Sequence, residues 1–183
     1  MSNVKISMET TRNKLPEKVE VFFKDLSDYL DTKILYYGSV QRPDYFEGMS
    51  DIDVDIFTDN TNSMMNKLQH FLSVSRNQFK KIVWRLNYNN QVVYGNKIFY
   101  KSPSNNFQVE FSIYDEKYKE GVLKEHLKKT VLPFYAIWML TTIKFIYYQL
   151  HLLDRNNFTY LKRKIMTFGI GLPDDDFVVL ESI

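Results

Sequence analysis

The chain has 183 residues, 44 % of them hydrophobic and 16 % aromatic, with a formal net charge of +2. This is enough for one domain with a packed core, and it excludes a disordered or low-complexity chain. There is no cysteine, which excludes disulfides, thiolate metal sites and cysteine nucleophiles and fits a reducing, cytoplasmic compartment.

The opening "MSNVKISMETTRNK" has no apolar core, so no signal peptide is expected. Residues 16–30 place Val19, Phe22, Phe23, Leu26 and Leu30 at helical spacing behind Pro16, which suits a first turn. Residues 33–37 read as a short strand ending at Gly38, and 50–57 alternate strictly, as a strand with one buried face does. A polar, cap-rich stretch follows, then a helix with Met64, Met65, Leu68, Phe71 and Leu72 as its apolar stripe. Residues 80–86, 92–101 and 106–114 are three further strands joined by turns.

After Asp115 the period becomes helical, over 116–129, Leu132–Leu153 and 156–168. Leu132–Leu153 is long and apolar, but Lys144 near its middle would cost about 2.5–3.5 kcal/mol in a bilayer. A buried core helix is expected there, and no membrane partner. "GIGLPDDD" then breaks the pattern, leaving the last residues as a loose tail or a short closing strand. The expected class is α+β: a mixed, largely antiparallel sheet with flanking helices and a helical C-terminal part. Three regions follow: a core over 1–115, a helical part over 116–167 packed on it, and an acidic tail over 168–183.

Charge follows the same division. Residues 1–115 carry 14 basic and 14 acidic side chains; residues 116–167 carry 10 and 4. The basic section suits an anionic partner, a nucleotide or RNA, as well as ordinary solvated helix faces.

One short stretch concentrates the chemistry. Asp51, Asp53 and Asp55 alternate with Ile52, Val54 and Ile56, so the three carboxylates share one face of a strand. They lie within about 14 Å and repel one another, so a divalent cation with oxygen ligands is a natural counter-charge. A solvated strand face is the competing account. Upstream, Gly38 and Ser39 end a strand where backbone N–H groups and a small hydroxyl could hold a phosphate, with Arg42 three residues on.

Gly38-Ser39 followed, after eleven residues, by Asp51-Ile52-Asp53 with Ser50 before it resembles the signature of the polymerase-β-type nucleotidyltransferase superfamily. Gly38-Ser39-x-x-Arg42 is similar to the opening of that motif in its small, minimal members, and the resemblance spans residues 33–115. Pro43, where small members often have glycine, and the extra Asp55 depart from the pattern. The resemblance implies a mixed sheet with flanking helices. It also implies a third carboxylate on a later strand: Glu110 in "FQVEFSI", with Asp115 as fallback.

The implied reaction is transfer of an NMP, AMP first among them, from an NTP to an acceptor hydroxyl, with Mg²⁺ or Mn²⁺ held by Asp51, Asp53 and Glu110. Gly38, Ser39 and Arg42 would bind phosphate, and Lys144 would reach the triphosphate from its helix. The acceptor is an RNA 3′ end, a protein or a small molecule. Two rival readings are a non-catalytic nucleotide- or RNA-binding subunit of the same fold and an AMP-transferring toxin–antitoxin component.

The remaining candidates are weaker. Lys97, Lys101 and the basic run 160–164 suit an exposed face as well as nucleic acid. Tyr36, Tyr37, Tyr45 and Phe46 flank the motif and could stack on a base, Tyr37 being the better core residue. His70, His126 and His151 have no metal-ligand spacing and receive no role. Richness in Asn, Lys, Ile, Tyr and Phe suggests an AT-rich genome, viral or bacterial, with host cytoplasm or virion as the setting if viral.

Overall fold

A computed structural model describes residues 8–103, 106–171 and 177–180. Helix α1 (Glu17–Leu30) follows Pro16, carries Glu17 and Glu20 in its first turn, and stops at Asp31 in the left-handed region. Strand β1 (Leu35–Tyr37) runs into a 3₁₀ turn over Gly38–Gln41, and β2 (Ile52–Thr58) follows. Helix α2 (Thr61–Leu72) is capped by Asn60, whose side chain accepts from the Ser63 N–H. Three strands, β3 (Lys80–Arg85), β4 (Val92–Lys101) and β5 (Gln108–Asp115), precede helices α3 (Lys119–Thr130), α4 (Phe134–Tyr148) and α5 (Arg155–Ile170). A last strand, β6 (Phe177–Leu180), pairs antiparallel with β3.

The sheet order is β1-β2-β5-β4-β3-β6. Only β2 and β5 pair in parallel, which makes the sheet mixed and largely antiparallel, as expected. Alternation along the strands then builds two faces. Ile52, Val54, Ile56, Val109, Phe111 and Ile113 all point to one side, where α1 and α2 cover them with Phe23, Leu26, Met64 and Leu68. The opposite side carries Leu35, Tyr37, Phe57, Trp84 and Tyr114, which pack with Val122 of α3. A third, small cluster joins α4 to α5 through Ala136, Leu140 and Ile165.

The Leu132–Leu153 segment differs from its expectation. Its helix ends at Tyr148, and it buries only Ala136, Leu140 and Lys144. Phe134 is 83 % exposed and Trp138 64 %, so α4 buries one side, against α5, and leaves its other side bare. No single helix among the described residues is long and apolar enough to cross a membrane. Of the acidic tail, Asp174, Asp175, Asp176 and Glu181 lie outside the described residues.

Candidate active site

The carboxylates are brought together by register. Asp53 stands opposite Glu110 on the neighbouring parallel strand and opposite Tyr37 on the antiparallel one. Asp51 lies two residues earlier, just ahead of β2, at the position that continues the same side of the strand. Asp53, Glu110 and Asp51 therefore form a short acidic row on the face away from α1 and α2. Burial, then the charge of Glu110, pushes the Asp53 carboxyl up to about 7, with Asp51 adding to the effect and Lys162 and Lys97 opposing it. Burial also raises Asp51, while Lys162, Lys144 and Arg155 hold it down.

Gly38 makes that row possible. A Cβ built on it would lie 2.1 Å from Asp53 Oδ2 and 3.0 Å from its Cγ, and its φ is +72°. The carboxylate therefore sits against bare backbone in a conformation glycine adopts freely. Gly38→Ala is expected to lose about 1–3 kcal/mol of stability from backbone strain. It should also lose about 10²-fold in activity by displacing Asp53. Urea melts and a transfer assay on the same preparation check both. Ser39 follows in the 3₁₀ turn and is buried with Val40 and Gln41.

Two residues expected at the phosphate are committed elsewhere. The Arg42 guanidinium donates to Asp44 through Nε (2.7 Å) and an η nitrogen (3.0 Å), and its other η nitrogen donates to the Lys129 carbonyl (2.8 Å). Lys144 Nζ donates to the Asp44 carbonyl (2.7 Å), sits 2.9 Å from Asp44 Oδ2, and lies 3.4 Å from Ser50 Oγ. Arg42 is 4 % exposed and Lys144 2 %. In this structure both sit in a buried ion group: a buried cation needs its charge and hydrogen bonds satisfied inside the protein, and Asp44 does that for both. Burial alone would raise Asp44; the bonds and charge of Arg42 and Lys144 outweigh it and lower its pKa. Burial pulls Lys144 down to about 8, with Asp44 acting the other way.

Glu110 also differs from its expected part as a ready ligand. Its Oε1 is 2.7 Å from Lys97 Nζ, because a lysine on the adjacent strand offsets one carboxylate of a crowded row. Among the described residues, no three His, Asp or Glu side chains are gathered closely enough to hold a metal ion by themselves. What remains fits a hard divalent ion that takes one or two carboxylates plus phosphate oxygens. Asp51 stands at the solvent-facing end of the row, and burial, then the charge of Glu110, raises the Asp53 carboxyl to about 7.

Asp55 is not a member of this group. It is fully buried, and its Oδ2 lies 2.6 Å from His126 Nδ1. The His126 ring stacks on Tyr37 at 3.9 Å and 13°, which anchors α3 to the sheet. Asp115, the fallback ligand, instead caps the turn before α3 by accepting from the Lys117 N–H.

Sequence reasoning gave His126 no role, yet Val122, His126 and Thr130 form a buried stripe at helical spacing. It also read Lys162 only as part of a basic run. Arg155 and Lys162 are seven residues apart, on the side of α5 that carries buried Phe158 and Ile165. Both act on Asp51.

The metal-free protein should show the acidic row in its pH dependence. The folded pKa of Asp53, about 7, is above its ordinary 3.8, so the folded state binds a proton that the unfolded state releases. That contribution is fully present below pH 4 and is lost as pH rises through 7. That loss is about 2 kcal/mol between pH 5.5 and 8, so Tm is expected to fall by about 4–8 °C over that range in EDTA, and the fall should shrink in Asp53→Asn. A melt series in two buffers measures it; Asp44, with its lowered pKa, acts only at more acid pH.

A family model described as a nucleotidyltransferase domain matches residues 16–138. The match takes in both faces of the sheet, the glycine turn, the acidic row, α3 and the start of α4. In comparisons with curated proteins and with solved structures, nothing matched.

Proposed function

The chain belongs to the nucleotidyltransferase family, and on that premise we propose that it moves an NMP, AMP first among them, from an NTP to an acceptor hydroxyl. The observation that carries this reading is the register of Asp53 against Glu110, with Asp51 on the same face and Gly38 pressed on the Asp53 carboxylate.

Asp51 and Asp53 would hold Mg²⁺ or Mn²⁺, with Glu110 as the third carboxylate. A divalent ion bound there offsets the charge of the row and of the phosphates, and polarises the α-phosphoryl group. The rest falls to the chain. The backbone at Gly38–Ser39 and the Ser39 hydroxyl orient the phosphates. Lys162 and Arg155 on α5 add positive charge at the Asp51 end, the part first assigned to Arg42 and Lys144. The acceptor oxygen bonds to the α-phosphorus, the bond to the β-phosphate oxygen breaks, and pyrophosphate leaves. Glu110 takes the acceptor proton once Lys97 lets it go. Positioning and charge neutralisation account for most of the rate.

The test is incubation with each α-labelled NTP, Mg²⁺ or Mn²⁺, and RNA, protein or small-molecule acceptors. Label on an acceptor, lost with EDTA and in Asp51→Asn, supports the reading; no label with any pair counts against it.

A second reading, a nucleotide- or RNA-binding subunit without catalysis, draws on one observation: Glu110 is already occupied by Lys97. It predicts that nucleotide binding survives neutralisation of Asp51 and Asp53.

A further inference from the structure

Helices α4 and α5 leave one side of the molecule uncovered. Phe134, Tyr135, Trp138 and Phe145 of α4 and Tyr160 and Phe168 of α5 are all exposed. Phe134, Trp138 and Phe145 are four and seven residues apart, which puts them on one stripe of α4. The Phe168 ring meets Tyr135 edge-on at 5.9 Å. Between the two helices runs a groove of about 540 Å³, whose walls include Trp138, Met139, Leu161 and Phe168. Monomeric proteins rarely expose a contiguous apolar patch of more than a few hundred Å². At about 150–250 Å² per aromatic side chain, the exposed parts of these six come to roughly 550–950 Å². That range brackets the ~800 Å² that each partner contributes to a stable interface.

Charge narrows what covers this face. Neither α4 nor α5 contains Asp or Glu, and the one charged residue of α4, Lys144, is buried. A stripe without charge packs on a copy of itself without bringing like charges together. An anionic membrane is held by basic side chains set among apolar ones, whereas of the described residues lining the groove only Lys164 is basic. We propose that this face is an interface between two copies of the chain, related by a two-fold axis, with α4 of each copy lying along the groove of the other. That arrangement packs the helices as a bundle and sets the two α5 helices, with Arg163 and Lys164, on opposite flanks. It also bears on the acidic row. α5 carries Arg155 and Lys162, which act on Asp51. It rests on α4 through Ile165 against Ala136 and Leu140, and through Phe158 stacked on Tyr147 at 4.2 Å. The second copy covers the bare side of the pair and holds both cations at the Asp51 end, a consequence that, unlike the interface, rests on the nucleotidyl-transfer reading above.

The test weighs the full chain by light scattering behind size exclusion, from about 1 to 100 μM. The expected result is a rise from the mass of one chain to that of two, with a Kd in the micromolar range or tighter and a Tm that climbs with concentration. Trp138→Glu and, separately, Phe168→Glu put a charge into the face and should each give a single chain throughout, with unchanged circular dichroism. Val21→Glu, at an exposed apolar position of α1, should stay paired. By calorimetry, a non-hydrolysable NTP with Mg²⁺ should bind Trp138→Glu about tenfold more weakly than the parent. A parent that is a single chain at every concentration overturns the proposal; if it then sediments with vesicles of phosphatidylcholine and phosphatidylserine, the face belongs to an anionic membrane instead. A pair that survives both substitutions lies elsewhere and overturns it as well. Loss of the pair with NTP affinity unchanged removes the hold on α5 and leaves the interface standing. Failure of NTP and Mg²⁺ to bind either protein removes the transfer reading, while the masses still decide the interface.

Discussion

Asp53→Asn is expected to reduce NMP transfer by about 10³-fold or more, while the metal-free variant folds as well as the parent or better. The two halves of that result come from one cause. Asp53 is placed by register opposite Glu110 and under Gly38, in surroundings that raise its pKa to about 7. Its negative charge is therefore unfavourable in the metal-free fold and useful only when something positive is bound. An amide of the same shape relieves the repulsion and removes the carboxylate proposed to hold the divalent ion. A structural aspartate behaves oppositely, losing stability when neutralised. Transfer kinetics together with Tm at pH 8 in EDTA separate the two, and a large fall in Tm would count against a catalytic Asp53.

Asp44→Ala should be the most destabilising of the aspartate substitutions. Asp44 is fully buried and satisfies two buried cations, Arg42 and Lys144. Through them it ties the loop after the 3₁₀ turn to the end of α3, by the Arg42 bond to the Lys129 carbonyl, and to α4. Removing one member of a buried charge group leaves the others unpaired, at about 3–5 kcal/mol. The expected fall in Tm is about 6–20 °C. Asp25→Ala, on the exposed side of α1, serves as the control and should stay within about 0.5 kcal/mol. Asp44→Asn keeps the hydrogen-bonding shape without the charge and should fall between the two. An effect of Asp44→Ala no larger than the control would mean that Arg42 and Lys144 find other partners, and would reopen their assignment to phosphate.

Much of the fold was legible because local patterning and tertiary packing agree. The strict alternation of residues 50–57 placed Ile52, Val54 and Ile56 on the helix-covered face and the aspartates on the other, and the structure keeps that division. Glu110, which the family resemblance implied as the third carboxylate, agrees with the same alternation, since Val109, Phe111 and Ile113 bury on one side and leave it on the other. Helix α4 was harder. Its composition is apolar on every side, so periodicity carried no direction, and a buried helix was the natural expectation; only the packing against α5 showed which flank is covered.

The charged residues divide in the same way. The order of residues along the chain determined that Asp51, Asp53 and Glu110 share a face, because a strand's period of two leaves no choice once the apolar partners are inside. It could not determine which cations meet which anions. Arg42 looked free for phosphate three residues from Ser39, but the fold buries it beside Asp44 and the Lys129 carbonyl, 87 residues away in sequence. Asp55 continues the acidic alternation, yet α3 brings His126 onto it from 71 residues downstream. Periodicity is local and is written in neighbouring residues; charge pairing is set by whichever groups the folded backbone brings within a few ångströms, and that distance exists only in three dimensions.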